Sequence, residues 1–213
     1  MLVRDIMTTN VITIPSDTPV PEATRIMDFH KIERLPVVDK GELAGLVVKN
    51  DLLKATPSEA TSLSVWELSY LLAKLPVREI MKKDVLTITP DATPEQAVTL
   101  AQSNKVGALP VVENDRVIGI VTTNDFFYKL LNPLLGIGET GSRIIIFKAE
   151  RAGDVEKVMG CVSEVGLGLK GICFVRSTGG DGNDLVIHLD TEDASQIMES
   201  IKGLGFSVGR VAS

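Results

Sequence analysis

The stretch Leu109-Pro110-Val111-Val112, followed by Gly119-Ile120-Val121-Thr122-Thr123-Asn124-Asp125, decides the fold because it has a counterpart 74 residues earlier. That counterpart reads Leu35-Pro36-Val37-Val38 and Gly45-Leu46-Val47-Val48-Lys49-Asn50-Asp51. The same offset relates Val3-Arg4-Asp5-Ile6-Met7 to Val77-Arg78-Glu79-Ile80-Met81 without a gap. Self-similarity at a fixed spacing indicates the duplication of one structural module.

Each copy predicts the element order β-α-β-β-α. A short strand at residues 11–14 or 85–88 precedes a helix whose apolar residues recur at i, i+3 and i+4. Two strands follow, at 35–38 and 43–48 or at 109–112 and 117–121, and a second helix begins near Asp51 or Asp125. In the second copy, Thr93-Pro94-Glu95-Gln96 is typical of a capping box with proline at the first helical position.

Between the copies, the apolar spacing over residues 63–75 predicts a helical connector. Trp66 and Tyr70 in this connector are expected to pack internally or to join a subunit contact rather than to bind a ligand.

The composition excludes several classes of function. Apolar residues make up 44% and charged residues 23% of the 213 residues, as in an ordinary globular protein. The net charge is −6 and no block of Lys or Arg occurs, which argues against nucleic acid as a partner. No apolar run approaches the roughly 20 residues of a membrane span, and the first residues lack the pattern of a secretory signal. With only two cysteines, the expected location is the cytoplasm.

The last third of the chain carries no further copy of the module. Residues 143–150, 169–176, 185–189 and 206–211 predict strands, and residues 154–165 and 192–204 predict helices. This β-α-β-β-α-β order is the ferredoxin-like pattern, so the whole chain is expected to be of the α/β (α+β) class. The expected division is a first module at 1–56, a connector at 57–76, a second module at 77–135, a linker at 136–142 and a final domain at 143–213.

The two LPVV strings and the Gly–apolar–apolar–Thr-x-x-Asp run resemble the CBS family, whose modules occur as tandem Bateman pairs. The resemblance implies adenine-nucleotide binding in clefts between the modules, with the Asp accepting hydrogen bonds from ribose hydroxyls. It implies one cleft formed by Asp125, Thr122, Ile12, Ile32 and Glu33, and a second formed by Asp51, Leu86, Val106 and Ala108. Arg34, beside the first LPVV, is the candidate phosphate contact.

Other interpretations of these residues stay open. Asp51 and Asp125 also fit a helix N-cap, and Arg34 fits a solvated charge or an ion pair with Glu33. Val48 stands where Thr122 stands in the second copy, so the Asp51 cleft is expected to bind less well. Because residues 106–108 of the second copy differ from residues 32–34 of the first, the two clefts are not expected to be equivalent.

The C-terminal element order also resembles the ACT domain, with Gly153 as the expected glycine of the first strand-to-helix turn and a candidate ligand contact. The Pro-Gly pair of ACT turns is missing from residues 150–153, which favours a role in dimerisation over amino-acid binding. A CBS pair with an ACT-like tail is similar in architecture to the acetoin-utilisation-type regulatory proteins.

No catalytic constellation emerges from the sequence. The two cysteines and two histidines are too few for a triad or a zinc site, and no phosphate-binding glycine loop is present. We therefore expect a non-catalytic regulatory protein that needs no cofactor or metal and senses AMP, ADP, ATP or S-adenosylmethionine. It would act as a homodimer or higher homo-oligomer, with a regulated protein as a further partner. The alternative is a dimeric scaffold whose clefts are vestigial.

Overall fold

The computed structural model describes residues 1–55, 70, 73–177 and 182–211. Most of the expected connector, with Trp66, and most of the loop at 177–183 lie outside these residues. The contacts divide the chain into two compact units, Met1–Phe126 and Phe127–Ser213. No helix among the described residues is long and apolar enough to cross a membrane.

The first unit contains both copies of the repeat. The first copy consists of α1 (Val3–Ile6), α2 (Val20–His30), β1 (Arg34–Asp39), β2 (Glu42–Val48) and α3 (Lys49–Ala55). The second copy consists of a 3-10 turn (Val77–Glu79), α4 (Pro94–Ser103), β3 (Ala108–Glu113), β4 (Arg116–Thr122) and α5 (Thr123–Asp125). The predicted helices and strand pairs are confirmed, with strand ends that differ by a residue.

The two hairpins have the same geometry, as a duplication requires. β1 pairs with β2 and β3 with β4, both antiparallel, and each hairpin carries an irregularity after its first LPVV valine, Val37 or Val111. The strands predicted at 11–14 and 85–88 are wrong. These segments form no regular strand, and within them only Ile14 and Ile88 form single parallel bridges, to Val37 and Val111. Each module therefore has only a two-stranded sheet, which is marginal by itself in water.

The predicted capping box at the start of α4 is confirmed. The Gln96 backbone N–H donates to Thr93 Oγ1 at 3.3 Å, and the Thr93 N–H donates to Gln96 Oε1 at 2.9 Å. Both helix-end donors are thereby satisfied, and Pro94 fits at the first helical position because it has no N–H to leave unpaired.

The N-terminal segments of the two copies are exchanged. Val3 and Ile6 are fully buried in the core of the second module, whereas Val77 is fully buried in the core of the first. Thr8 forms two backbone hydrogen bonds with Ile120 of β4, at 2.9 and 3.0 Å. Lys82 forms the equivalent pair with Leu46 of β2, at 2.9 and 3.0 Å. Each hairpin thus gains a third segment from the other copy.

Glycine makes this exchange possible. A Cβ placed on Gly119 would overlap the sulfur of Met7, and one on Gly45 would overlap the sulfur of Met81. The glycine of the family motif therefore provides the space in which the methionine of the other copy packs. Because interiors are close-packed, a side chain here would push the segment away from the sheet.

The second unit has the predicted ferredoxin-like topology. After a π-helical turn (Phe126–Leu131) and α6 (Asn132–Leu135) come β5 (Ser142–Ile146), α7 (Ala152–Val165), β6 (Leu169–Arg176), β7 (Asn183–Leu189), α8 (Ser195–Gly203) and β8 (Val208–Val211). The antiparallel sheet has the order β6-β7-β5-β8. Its core lies between the sheet and the helices α7 and α8.

The segment expected to be a linker at 136–142 is packed into the second unit. A Cβ on Gly136 would overlap the ring of His188, and His188 Nε2 lies 3.1 Å from the Thr140 carbonyl oxygen. Ser142 is already part of β5, and its hydroxyl donates to the Glu192 carbonyl at 2.7 Å. The buried His188 and the glycines around it explain why this segment is folded rather than extended.

We expect Ile6→Ala to destabilise the first unit by about 2–5 kcal/mol, because it opens a cavity in a core. The exposed neighbour Thr9 provides the control, and Thr9→Ala should change the free energy of unfolding by less than about 0.5 kcal/mol. Hydrogen exchange of Ile6→Ala should accelerate in β3 and β4. Faster exchange confined to β1 and β2 would contradict the exchanged packing.

Candidate functional site

A cleft of about 460 Å³ lies between the two modules of the first unit. The first module contributes the start of β1 and the end of β2, and the second contributes the two segments that precede and follow α4. The lining residues are Arg34, Leu46, Val48, Lys82, Asp84, Val85, Leu86, Asn104, Lys105, Val106, Gly107 and Ala108. The predicted group of Leu86, Val106 and Ala108 therefore lines one cleft.

The lining separates into an apolar wall and a charged rim. The apolar residues are Leu46, Val48, Val85, Leu86, Val106 and Ala108, a surface suited to a planar base. The charged residues are the cations Arg34, Lys82 and Lys105 and a single carboxylate, Asp84. The excess of positive charge favours an anionic ligand.

Arg34 faces this cleft because Gly107 leaves room for it. A Cβ built on Gly107 would lie 2.7 Å from Arg34 Nη2, so the guanidinium occupies the space that a side chain would fill. The sequence marks Arg34 as a candidate phosphate contact without assigning it to a cleft, and in the structure it lines this one. The residue equivalent to Gly107 in the first copy is the longer, acidic Glu33.

The other two cations are held by local backbone geometry. Lys105 has a left-handed φ of 54°, and its N–H donates to the Gln102 carbonyl at 3.2 Å as α4 ends. The Asn104 side chain donates to the Leu100 carbonyl at 2.9 Å and holds the same turn. Lys82 is placed by its backbone pairing with β2. The exchange of N-terminal segments therefore also positions part of the cleft.

Asp51 lies in the first turn of α3, three residues after the cleft residue Val48, and is half-buried. Within the part of the chain that the structure describes, no side chain or N–H donates to its carboxylate. Lys49 is not available for a ligand, because its ammonium group contacts the Asp28 carboxylate at 2.6 Å. This hydrogen bond raises the pKa of Lys49.

Asp125 is in a different environment and is 7% exposed. Its Oδ2 accepts hydrogen bonds from the Thr122 N–H at 2.8 Å and the Thr122 hydroxyl at 2.7 Å. Its Oδ1 accepts from the Thr8 hydroxyl, which belongs to the exchanged segment, at 3.1 Å.

This network defines the helix start. Thr122, rather than Asp125, is the N-cap residue, and Asp125 is the third helical residue of a capping box. The hydroxyl of Thr122, a residue of the predicted Asp125 cleft, donates to Asp125. A ligand that used this carboxylate for two ribose hydroxyls would have to replace some of these bonds.

The remaining predicted residues of the Asp125 cleft lie around the first module. Ile12 and Ile32 are partly buried against its core, and Glu33 is exposed, with its backbone carbonyl accepting from the Lys49 N–H at 2.8 Å.

The expected ligand turn of the C-terminal domain is also corrected. Gly153 lies inside the first turn of α7 rather than in the strand-to-helix turn, and nothing lies within 4 Å of the position its Cβ would take. The left-handed residue of that turn is Lys148, with φ of 56°. Its N–H donates to the buried Asp184 carboxylate at 2.9 Å, and the Asn183 N–H donates to Glu150 at 2.9 Å. These bonds close the turn onto the start of β7.

Sequence reasoning missed Lys82, Asp84, Asn104, Lys105 and the space above Gly107. The sequence did hold one signal that the two copies differ at the cleft. The 74-residue offset aligns Lys82 with the neutral Thr8 and Gly107 with the charged Glu33. Among the described residues no group of three or more His, Cys, Asp or Glu side chains could hold a metal ion.

A duplicated β-α-β-β-α module with a ligand-sized cleft between its copies defines a tandem domain pair. The model of the CBS domain family matches residues 3–58 and 77–132, which together are more than half of the chain. The chain belongs to the CBS domain family.

Related proteins cover the pair and differ beyond it. The CBS domain-containing protein YhcV of Bacillus subtilis is 28% identical over 123 residues, 58% of this chain and 81% of that protein. The inosine-5'-monophosphate dehydrogenase of Korarchaeum cryptofilum is 34% identical over 133 residues, 62% of this chain. This chain spans only 25% of the length of that dehydrogenase.

Two solved structures are similar to the pair. The CBS domain pair of protein MJ0100, in complex with 5'-methylthioadenosine and S-adenosyl-L-methionine, has a TM-score of 0.51 and 30% identity. It covers 62% of this chain and 96% of that one. A Vibrio cholerae protein assigned to acetoin utilisation (AcuB) has a TM-score of 0.53 and 32% identity over 62% of this chain and 91% of that one.

We expect Asp125→Ala to lower the free energy of unfolding of the first unit by about 1–3 kcal/mol, because it removes the hydrogen bonds that the buried carboxylate accepts from Thr122 and Thr8. Asp51→Ala is the matched control and should cost less than about 0.5 kcal/mol. Urea unfolding measures both. Equal losses for the two variants would contradict the difference between the two carboxylates.

Proposed function

We propose that this chain is a non-catalytic cytoplasmic regulator that binds an adenine nucleotide in the cleft between Arg34 and Lys105. The observation that carries the proposal is the cleft itself, with an apolar wall on one side and three cations against one carboxylate on its rim. The MJ0100 pair, similar in fold, was solved with two adenosine-containing ligands. That likeness supports an adenosine moiety here.

The lining residues and the neighbouring Asp51 suggest how such a nucleotide would bind. Leu86, Val106 and Ala108 would sandwich the base, and Asp51, three residues beyond the lining residue Val48, would accept hydrogen bonds from the ribose hydroxyls. Arg34 would hold the phosphate through its planar fork, with Lys82 and Lys105 as further charges. The rim favours AMP, ADP or ATP over S-adenosylmethionine, because the sulfonium of the latter is itself a cation.

The second predicted site, with Asp125, Thr122, Ile12, Ile32 and Glu33, would bind more weakly. The Asp125 carboxylate already accepts three hydrogen bonds. Glu33 occupies the position equivalent to Gly107, and it would repel a phosphate, whereas Gly107 admits the Arg34 guanidinium to the cleft. This reverses the order of affinity expected from the motif alone.

We expect Arg34→Ala to weaken AMP binding by about tenfold or more, since it removes charge-assisted hydrogen bonds worth about 1.5–3 kcal/mol each. Adenosine, which has no phosphate, should bind the variant and the wild type within about twofold of each other. Titration calorimetry with both ligands measures this. Arg116→Ala is the control, because Arg116 starts β4 at the end opposite Thr122. Equal losses for AMP and adenosine would exclude the phosphate role.

Gly107→Glu should also abolish most AMP binding, because its side chain displaces the Arg34 guanidinium and adds a negative charge. Gly153→Glu adds the same group at an open helical position of the second unit and should leave the affinity unchanged. A cooperative thermal unfolding transition must first show that both variants are folded. Unaltered AMP affinity in folded Gly107→Glu protein would place the phosphate elsewhere.

We further propose that the second unit is an ACT-like output domain that responds to the nucleotide. Two observations support this. The second unit has the ferredoxin-like topology, and it follows directly in sequence after the motif that ends at Asp125. An effector needs only a differential affinity of about 1–3 kcal/mol between two states to exert such an influence.

Hydrogen exchange tests the relay. Saturation with AMP should change the protection of residues 143–165, which include β5 and α7. A response that ends at Leu131 would show that the two units are independent, whether or not nucleotide binds to the first.

The bonding of Asp125 also favours a second candidate function, a dimeric scaffold with vestigial clefts. If the Asp125 carboxylate only stabilises the folded chain, the cleft beside it requires no ligand. Thermal-shift measurements with AMP, ADP, ATP and S-adenosylmethionine separate the two functions, because a regulator is stabilised by at least one of them and a scaffold by none.

A further inference from the structure

The two exchanged segments each carry a methionine, Met7 or Met81, whose thioether sulfur packs on a glycine of the facing hairpin. A Cβ built on Gly45 would lie 2.5 Å from the Met81 sulfur, so this sulfur occupies the space above the glycine. Met7 and Met81 are half-buried at the margins of their cores, whereas Met27 is fully buried. Each of the two side chains therefore combines a tight contact with partial exposure to solvent.

Partial exposure makes a thioether open to oxidation by peroxides. The sulfur attacks one peroxide oxygen, so that an S–O bond forms as the O–O bond breaks, and the proton of the transferred oxygen passes to the leaving oxygen. The sulfur loses two electrons to the peroxide, which leaves as water or an alcohol. The product, methionine sulfoxide, is a polar side chain with an acceptor oxygen, and sulfoxide reductases restore the thioether.

The surroundings of the Met81 sulfur suit a thioether and not a sulfoxide. The Gly45 backbone fills one side, and the Lys82 carbonyl oxygen lies 2.9 Å from the same Cβ position. This carbonyl already accepts from the Leu46 N–H at 2.9 Å, and as an acceptor it cannot bond a sulfoxide oxygen. A buried acceptor without a donor is unfavourable. The oxidised side chain would therefore turn towards water and leave the glycine uncovered.

The residue that follows Met81 lines the cleft. Lys82 pairs its backbone with Leu46 in both directions, at 2.9 and 3.0 Å, and both residues belong to the lining. We propose that Met81 is an oxidation-sensitive modification site whose sulfoxide lowers the nucleotide affinity of the cleft. Because interiors are close-packed, withdrawal of the methionine loosens this pairing and displaces the Lys82 ammonium from the rim. The effect on affinity rests on the function proposed above, whereas the loosened pairing does not.

Met7 provides an internal control, because it makes the same contact in the other copy. It is followed by Thr8, whose backbone pairs with Ile120, and neither Thr8 nor Ile120 is among the residues that line the cleft of Arg34. Oxidation of Met7 should therefore loosen the pairing of Thr8 and leave the affinity for AMP within about twofold of its unoxidised value.

The test uses the full chain as the variants Met7→Leu and Met81→Leu, each treated with hydrogen peroxide and mapped by peptide mass spectrometry. In Met7→Leu, oxidation of Met81 should accelerate amide exchange at Lys82 and Leu46 about fivefold or more and lower the affinity for AMP by a similar factor. In Met81→Leu, exchange should accelerate at Thr8 instead, and the affinity for AMP should be kept. The other methionines are common to both variants, so their oxidation cancels in the comparison.

A polar substitution and a reductase complete the experiment. Met81→Gln, a polar side chain of similar length, should reproduce the loss of AMP affinity without peroxide, and a methionine sulfoxide reductase should restore the affinity of oxidised Met7→Leu protein. Met81 that stays reduced in the folded chain, unchanged exchange at Lys82 after its oxidation, or equal losses of affinity in the two peroxide-treated variants would overturn the proposal. If the unoxidised protein did not bind AMP, the proposed function would fail, and the exchange data alone would decide the modification site.

Discussion

The first unit depends on one constraint, which is that neither module can complete its own core. Each has a two-stranded hairpin and its own helices. The core of the second module is closed by Val3 and Ile6 from the start of the chain, and the core of the first is closed by Val77, which precedes the second module. The family glycines Gly45 and Gly119 admit the methionines that accompany these segments. Because both exchanges use the same contacts, the two modules form one folding unit rather than two domains in sequence.

Duplication places equivalent residues of the two copies in surroundings that a few substitutions make different. Gly107 and Lys82 line the cleft of Arg34, whereas the equivalent positions of the first copy hold Glu33 and Thr8, whose hydroxyl donates to Asp125. The intact motif of the second copy, with Thr122, stabilises its own helix start. On the proposed function, the incomplete motif of the first copy, with Val48, leaves the Asp51 carboxylate for a ligand, and the more complete motif marks the weaker site.

Much of the fold could be predicted from the sequence, because the repeat, the alternating strands and the capping residues are local signals. The hairpins, the helices and the ferredoxin-like order were obtained in this way. The exchange was not, since the nearly identical segments 3–7 and 77–81, which differ only at Asp5 and Glu79, carry no mark of which copy they pack on. The cleft that Arg34 faces could not be assigned from the sequence, because it depends on the absence of a side chain at Gly107, which is distant in sequence. The place of Gly153 differs from the prediction because α7 begins at Ala152, so that Gly153 lies in its first turn.

The most direct test of nucleotide binding in the Arg34–Lys105 cleft is a titration of methyl-labelled protein with AMP, followed by NMR. The account predicts that the methyl signals of Leu46, Val48, Leu86 and Val106 shift first and saturate together. Those of Ile12 and Ile32, on the side of Asp125, should respond only at higher concentrations. Shifts that begin at Ile12 and Ile32, or a spectrum that AMP leaves unchanged, would contradict it.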